Sequence, residues 1–173
     1  MKSIKFILIF IITYCFAQDI YTTKAHIFCN DFLTSNNYLS FSKFHIFREQ
    51  LTEKQKLDVD LNKEIYESIL KYSDLISKNE PSDSLLISYY EIFSVLNRNA
   101  EGSQIVAKNY SNYFTINLQK CLIALENIND ENVINIMVNE SLFMEDNSIK
   151  IINHIRNNNL SNKSYYKYYK EYF

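Results

Sequence analysis

A single glycine, Gly102, and a single proline, Pro81, stand in a chain of 173 residues, and this scarcity restricts the fold more than any motif does. Hairpins and α/β crossovers turn on residues with unusual backbone angles, which glycine adopts freely and proline pre-sets. A chain nearly without them must join its elements through short turns of asparagine, aspartate and serine. Such turns suit helices, whose ends those same residues cap.

The apolar spacing agrees. Ile65, Ile69, Tyr72 and Ile76, preceded by Leu61, recur at helical intervals, and Thr52 with Gln55 resembles a capping box that opens this segment. Pro81 breaks it, and Ser82 is placed to cap a second stripe of Leu85, Tyr89, Phe93 and Leu96, which ends across Asn99 to Gly102. The longest stripe is Val106, Tyr110, Phe114, Leu118, Cys121, Leu122 and Leu125. Shorter helices are expected over His26 to Leu33, Phe41 to Leu51 and Val133 to Phe143, with Asp146 capping one that carries Ile149, Ile152 and Ile155. Asn157 to Asn162 reads as loop. The predicted fold is an all-α, single-domain bundle of about six to seven short helices. In the tail, residues 163–173, Tyr165, Tyr168, Tyr169 and Tyr172 would share one face of a helix opposite Lys163, Lys167 and Lys170. It reads as a last helix packed on the core, with a frayed end or an amphipathic docking segment as alternatives.

The N-terminus points to export. Lys2 and Lys5 precede an apolar run from Phe6 to Phe16, and Cys15-Phe16-Ala17 places small residues at the third and first positions before a cut. Residues 1–17 are therefore expected to be a cleaved signal peptide. The run is short for a membrane span and meets Gln18, Asp19 and Lys24, and no second run in the mature chain is long enough to cross a bilayer. Cleavage would leave residues 18–173 as one helical domain, secreted outside the cell. Loss of Lys2 and Lys5 leaves 16 basic residues against 20 acidic ones, a balance that argues against a nucleic-acid partner held by charge.

Cys15 would leave with the leader. Cys29 and Cys121 then remain as an even pair in an oxidising compartment, and a disulfide between them is expected. Four glycosylation acceptor sequences stand at Asn109, Asn139, Asn159 and Asn162. The chain is crowded with isoleucine, asparagine, lysine, tyrosine and phenylalanine, whose codons are built from A and T, so an AT-rich genome alone would supply both the sequons and the aromatic richness. Neither carries a functional assignment by itself.

The chemistry of familiar sites is largely missing. Phosphate-cradling loops and nucleophile elbows need several glycines. His26 with Cys29 is half a metal site at best, and His45 and His154 stand alone. Asp58-Val-Asp60-Leu-Asn62 begins like a calcium loop, yet Lys63 occupies the glycine position and Ile69 the closing glutamate position, so it reads as a helix start packed through Leu57, Val59 and Leu61. No catalytic residues, metal site or cofactor are expected, and the chain does not read as an enzyme. The function that remains is binding, either of another macromolecule or, alternatively, of small apolar ligands that an extracellular carrier would enclose.

Overall fold

The computed structural model describes residues 20–35 and 37–172, so the leader and Cys15 lie outside the described residues. Among those residues every regular element is a helix. They are α1 (20–35), α2 (Tyr38–Glu49), α3 (Glu53–Asp60), α4 (Lys63–Ile76), α5 (Asp83–Leu96), α6 (Ala100–Ile116), α7 (Leu118–Glu126), α8 (Glu131–Ser141), α9 (Glu145–Asn157) and α10 (Tyr166–Tyr169), followed by a 3₁₀ turn over Lys170–Tyr172. The all-helical class stands, and the count of six to seven is corrected to ten.

The extra helices come from asparagines that interrupt stripes which look continuous in sequence. Thr52 and Gln55 form the expected capping box, but it opens only the short α3. Asn62 then accepts from the Glu64 and Ile65 amides and starts α4 afresh. Asn117, at φ −109° and ψ 27°, divides the longest stripe into α6 and α7. Ser82 caps α5 through the Leu85 amide, as expected. Asn99 does not close that helix but opens the next, accepting from the Gly102 amide. Two further expectations are corrected: α9 begins after Met144 without a side-chain cap, leaving Asp146 in its first turn, and Leu57 and Leu61 are exposed while Val59 alone of that trio is buried.

Helix α5 is the axle of the bundle, packed against α2, α4, α6, α7 and α8. Large rings fill the interior beside it. Tyr89, Tyr110, Tyr113 and Phe93 meet with centroids 4.8 to 6.5 Å apart, and Phe32, Phe41, Phe44 and Tyr72 form a second group at 5.0 to 5.8 Å. These are the spacings of contacting aromatic pairs. Gly102 serves close approach rather than a turn: a Cβ there would fall 2.5 Å from the ring of Tyr66 on α4, which would have to shift. The tail closes one side. Tyr165 and Tyr169 are buried, Tyr169 Oη lies 2.9 Å from Ser141 Oγ, and Lys167 pairs with Glu131, while Tyr172 is about half exposed.

The expected disulfide is absent, since Cys29 and Cys121 are both free thiols. The pairing was read from an even count, which carries no geometry. Cys29 lies on α1 against Ser68 of α4, whereas Cys121 lies on α7 among Tyr89, Tyr110, Tyr113 and Tyr169. Burial pushes both thiols up to about 12, so neither is a nucleophile at neutral pH.

A charged pair is also buried here. Arg48 of α2 donates to Asp60 at the end of α3 through two bonds, Nε to Oδ1 at 2.8 Å and the second guanidinium nitrogen to Oδ2 at 2.7 Å, and both side chains are about 95% buried. Removing Arg48 strands the Asp60 charge away from water, and removing Asp60 leaves the buried guanidinium with Glu49 alone. Asp60→Leu or Arg48→Met alone should lower stability by roughly 3–5 kcal/mol, whereas the double variant should recover most of that loss. Denaturant titration of the four proteins measures the cycle. A second expected outcome concerns the thiols: alkylation without prior reduction should label neither cysteine in the native protein and both once it is unfolded.

Candidate functional site: a groove along helix α5

Nine of the fourteen residues of α5 are buried, but one stripe is not. Asp83, Ile87, Tyr90, Ser94 and then Asn97 follow one another at intervals of three and four residues, and all are half-buried or exposed. They form the floor of a groove, about 21 Å long at 1.5 Å per residue. Three adjoining clefts compose it. The first, about 300 Å³, lies between Pro81, Ser82 and Asp83 and the α7 residues Lys120, Ile123 and Ala124. The second, about 390 Å³, shares Asp83 and Asn127 with the first and is bounded by His45, Ile87, Tyr90, Glu91, Ile128, Asp130 and Val133. The third, about 350 Å³, shares His45 and Tyr90 with the second and continues to Arg48, Lys56, Asn97 and Arg98.

The walls are positioned by the features described above. Helix α2 supplies His45 and Arg48 and is held to α3 by the Arg48–Asp60 pair, so Lys56 of α3 reaches the same wall. The opposite wall is the turn from α7 to α8. There Asp130 caps α8 by accepting from the Asn132 and Val133 amides, which fixes Ile128, Asn129 and Val133 at the rim.

Charge is distributed unevenly along the groove. In the third cleft it is balanced: Arg48 meets Asp60 and Glu49, Lys56 meets Glu49 and Glu53, and Arg98 meets Glu53. Lys56 beside it holds the Glu49 carboxyl below the usual range. The middle cleft is different. Asp83, Glu91 and Asp130 line it and none forms an ion pair among the described residues. Glu91 is 91% buried. Its Oε2 accepts from Ser42 at 2.8 Å, and its other oxygen has no hydrogen bond among the described residues. Burial raises its pKa above the ordinary carboxyl value, with the Ser42 hydroxyl opposing. His45 shifts the other way: burial lowers its pKa, Glu49 opposes, and Arg48 and Lys56 add to the lowering, so the imidazole is neutral at pH 7.

The sequence-derived candidates lie elsewhere. Cys29 and Cys121 are core residues, His26 stands 3.8 Å from Glu64, and His154 sits on α9 beside Asn158. The calcium-like segment is structural: Asp58 accepts from the Tyr21 hydroxyl, Asp60 holds Arg48 and Asn62 caps α4. Among the described residues no group of three or more histidines, cysteines and carboxylates stands ready to hold a metal ion. Of the sequons, Asn109 is half-buried within α6, Asn139 is exposed on α8 and accepts from the Tyr172 hydroxyl, and Asn159 and Asn162 are exposed in the turns after α9, Asn159 at φ 52°. Among the candidate site residues read from the sequence, His45 alone lines the groove, although Pro81, Ser82 and Val133, read there only as a helix break, a cap and a helix start, line it too. Ile87, Tyr90, Ser94 and Asn97 were missed because they look like the ordinary polar side of an amphipathic helix, and a stripe opposite Leu85, Tyr89 and Phe93 was the only signal available.

Comparison with known proteins finds no matching family model, no matching curated protein and no matching solved structure. The groove is therefore interpreted from its own geometry.

Glu91 gives a direct test of that electrostatic description. Its raised pKa means the folded state holds the proton more tightly than the unfolded chain, so stability falls as pH rises through the folded value. Glu91→Gln cannot ionise and keeps an acceptor for Ser42. It should melt above the wild type at pH 7, and the difference should vanish as the pH drops below 4.5, the ordinary value of this carboxyl. Thermal unfolding of both proteins across that range checks it, with the contribution of His45 common to both.

Proposed function

We propose that the protein is secreted after cleavage behind Ala17 and acts outside the cell by binding another macromolecule through the groove along α5. The observation that supports this reading most is the groove itself. It is open along its length, floored by a mixed stripe of α5 and walled by three other parts of the chain. Aromatic rings in mutual contact occupy the interior beside α5, which favours a surface role over an enclosed ligand. Two buried thiols with strongly raised pKa values and unclustered histidines offer no evident chemistry for catalysis.

A second reading has one observation in its favour. The middle cleft, at about 390 Å³ with Ile87, Ile128 and Val133 along it, falls within the size range of small-molecule pockets. A carrier of small apolar ligands would use it. Native mass spectrometry of the protein from its own source separates the two. A chain beginning at Gln18, free of small ligand and retaining a protein partner, is expected. A bound apolar molecule released on denaturation would establish the carrier, and a chain retaining residues 1–17 would overturn cleavage.

A further inference from the structure

Three clefts share one floor, and among the described residues the uncompensated charge gathers at the middle one, whose Asp83 also borders the first. The third cleft balances Arg48, Lys56 and Arg98 against Glu49, Glu53 and Asp60. At the first, Lys120 already pairs with Glu80. The middle cleft combines Asp83 and Asp130 at an exposed rim, the nearly buried Glu91 with one oxygen free, and an apolar lining of Ile87, Tyr90, Ile128 and Val133. A carboxylate kept largely from water without a cation is costly, and an incoming cation would remove that cost. An apolar wall beside it suits a cation carried on a methylene stem.

We propose that this cleft seats a lysine or arginine side chain of a basic amphipathic segment of the partner, and that the segment lies along α5. The proposal rests on the binding role given above and specifies its chemistry. The stem lies against Ile87, Tyr90, Ile128 and Val133, the charged head meets Glu91, and Asp83 and Asp130 attract it from the rim. A groove about 21 Å long holds roughly four turns of helix, or about six extended residues. A peptide fits that length better than a single small amine does, because the flanking clefts continue the surface on both sides.

The test uses the chain from Gln18 to Phe173 and a fluorescein-labelled synthetic 14-residue peptide with lysine and leucine at helical spacing, set beside the same peptide carrying glutamate for lysine. Anisotropy should show binding of the lysine peptide alone. Amide shifts in NMR spectra should fall on Ile87, Tyr90, Ile128 and Val133. Asp83→Asn with Asp130→Asn should weaken binding by roughly tenfold or more while keeping the α8 cap, because asparagine caps as well as aspartate. Lys78→Gln should leave it within about twofold, since that charge lies outside the groove and is already paired with Asp74. Equal binding of the glutamate peptide, indifference to the double variant, or shifts mapping elsewhere would each overturn the proposal. Hexylamine binding as tightly as the peptide would assign the cleft to a small amine instead. A natural partner whose footprint avoids the groove would also overturn it, yet would leave the broader binding role intact.

Discussion

The buried pair between Arg48 and Asp60 is the constraint on which helix α3, and with it one wall of the groove, depends. Helix α3 is short and buries only Val59 and Asp60, whereas α2 is also held by Phe41 and Phe44 in the core. Apolar burial along eight residues is too little to fix such a helix, so its orientation depends on the bidentate grip of the guanidinium. Planar geometry and two short bonds give that grip direction as well as energy. From it follow the position of Lys56, the network through Glu49 and Glu53 to Arg98, and hence one wall of the groove.

The floor of the groove is organised by apolar packing. Helix α5 packs against α2, α4, α6, α7 and α8 and leaves one stripe uncovered, while α6 lies close enough to α4 that a Cβ at position 102 would force the Tyr66 ring to shift. Between a charge-fixed wall and a core-fixed floor, the groove joins two kinds of order. Glu91 stands at that junction, on the floor helix but hydrogen-bonded to Ser42 of the wall helix. Its burial destabilises the charged carboxylate, and a group held in that way is commonly a place where stability is traded for binding.

Much of the local structure was legible in the sequence. Ser82 and the Thr52–Gln55 box cap where expected, and the buried positions Leu85, Tyr89, Phe93 and Leu96 follow from spacing alone. Spacing did not reveal the breaks at Asn62 and Asn117, because asparagine is tolerated inside helices and the stripe continues in phase on the far side. The cysteine bridge failed for a different reason: parity counts residues, while a bond needs two side chains to meet. The groove was illegible because its lining comes from α2, α3, α5 and the turn between α7 and α8, and only tertiary packing brings His45, Tyr90 and Asp130 to one cleft. Asp60 shows the same limit, as its partner twelve residues earlier is an unremarkable arginine in sequence.

Site-resolved hydrogen exchange on Asp60→Asn beside the wild type tests most directly whether the buried pair holds the wall. Amides of α3, residues 53–60, should lose protection while those of α5, α6 and α8 keep theirs, because those helices are packed through the core independently of that contact. Uniform loss across all helices, or unchanged protection over residues 53–60, would contradict it: the wall would then be held by the core as a whole, and the pair would be incidental to the groove.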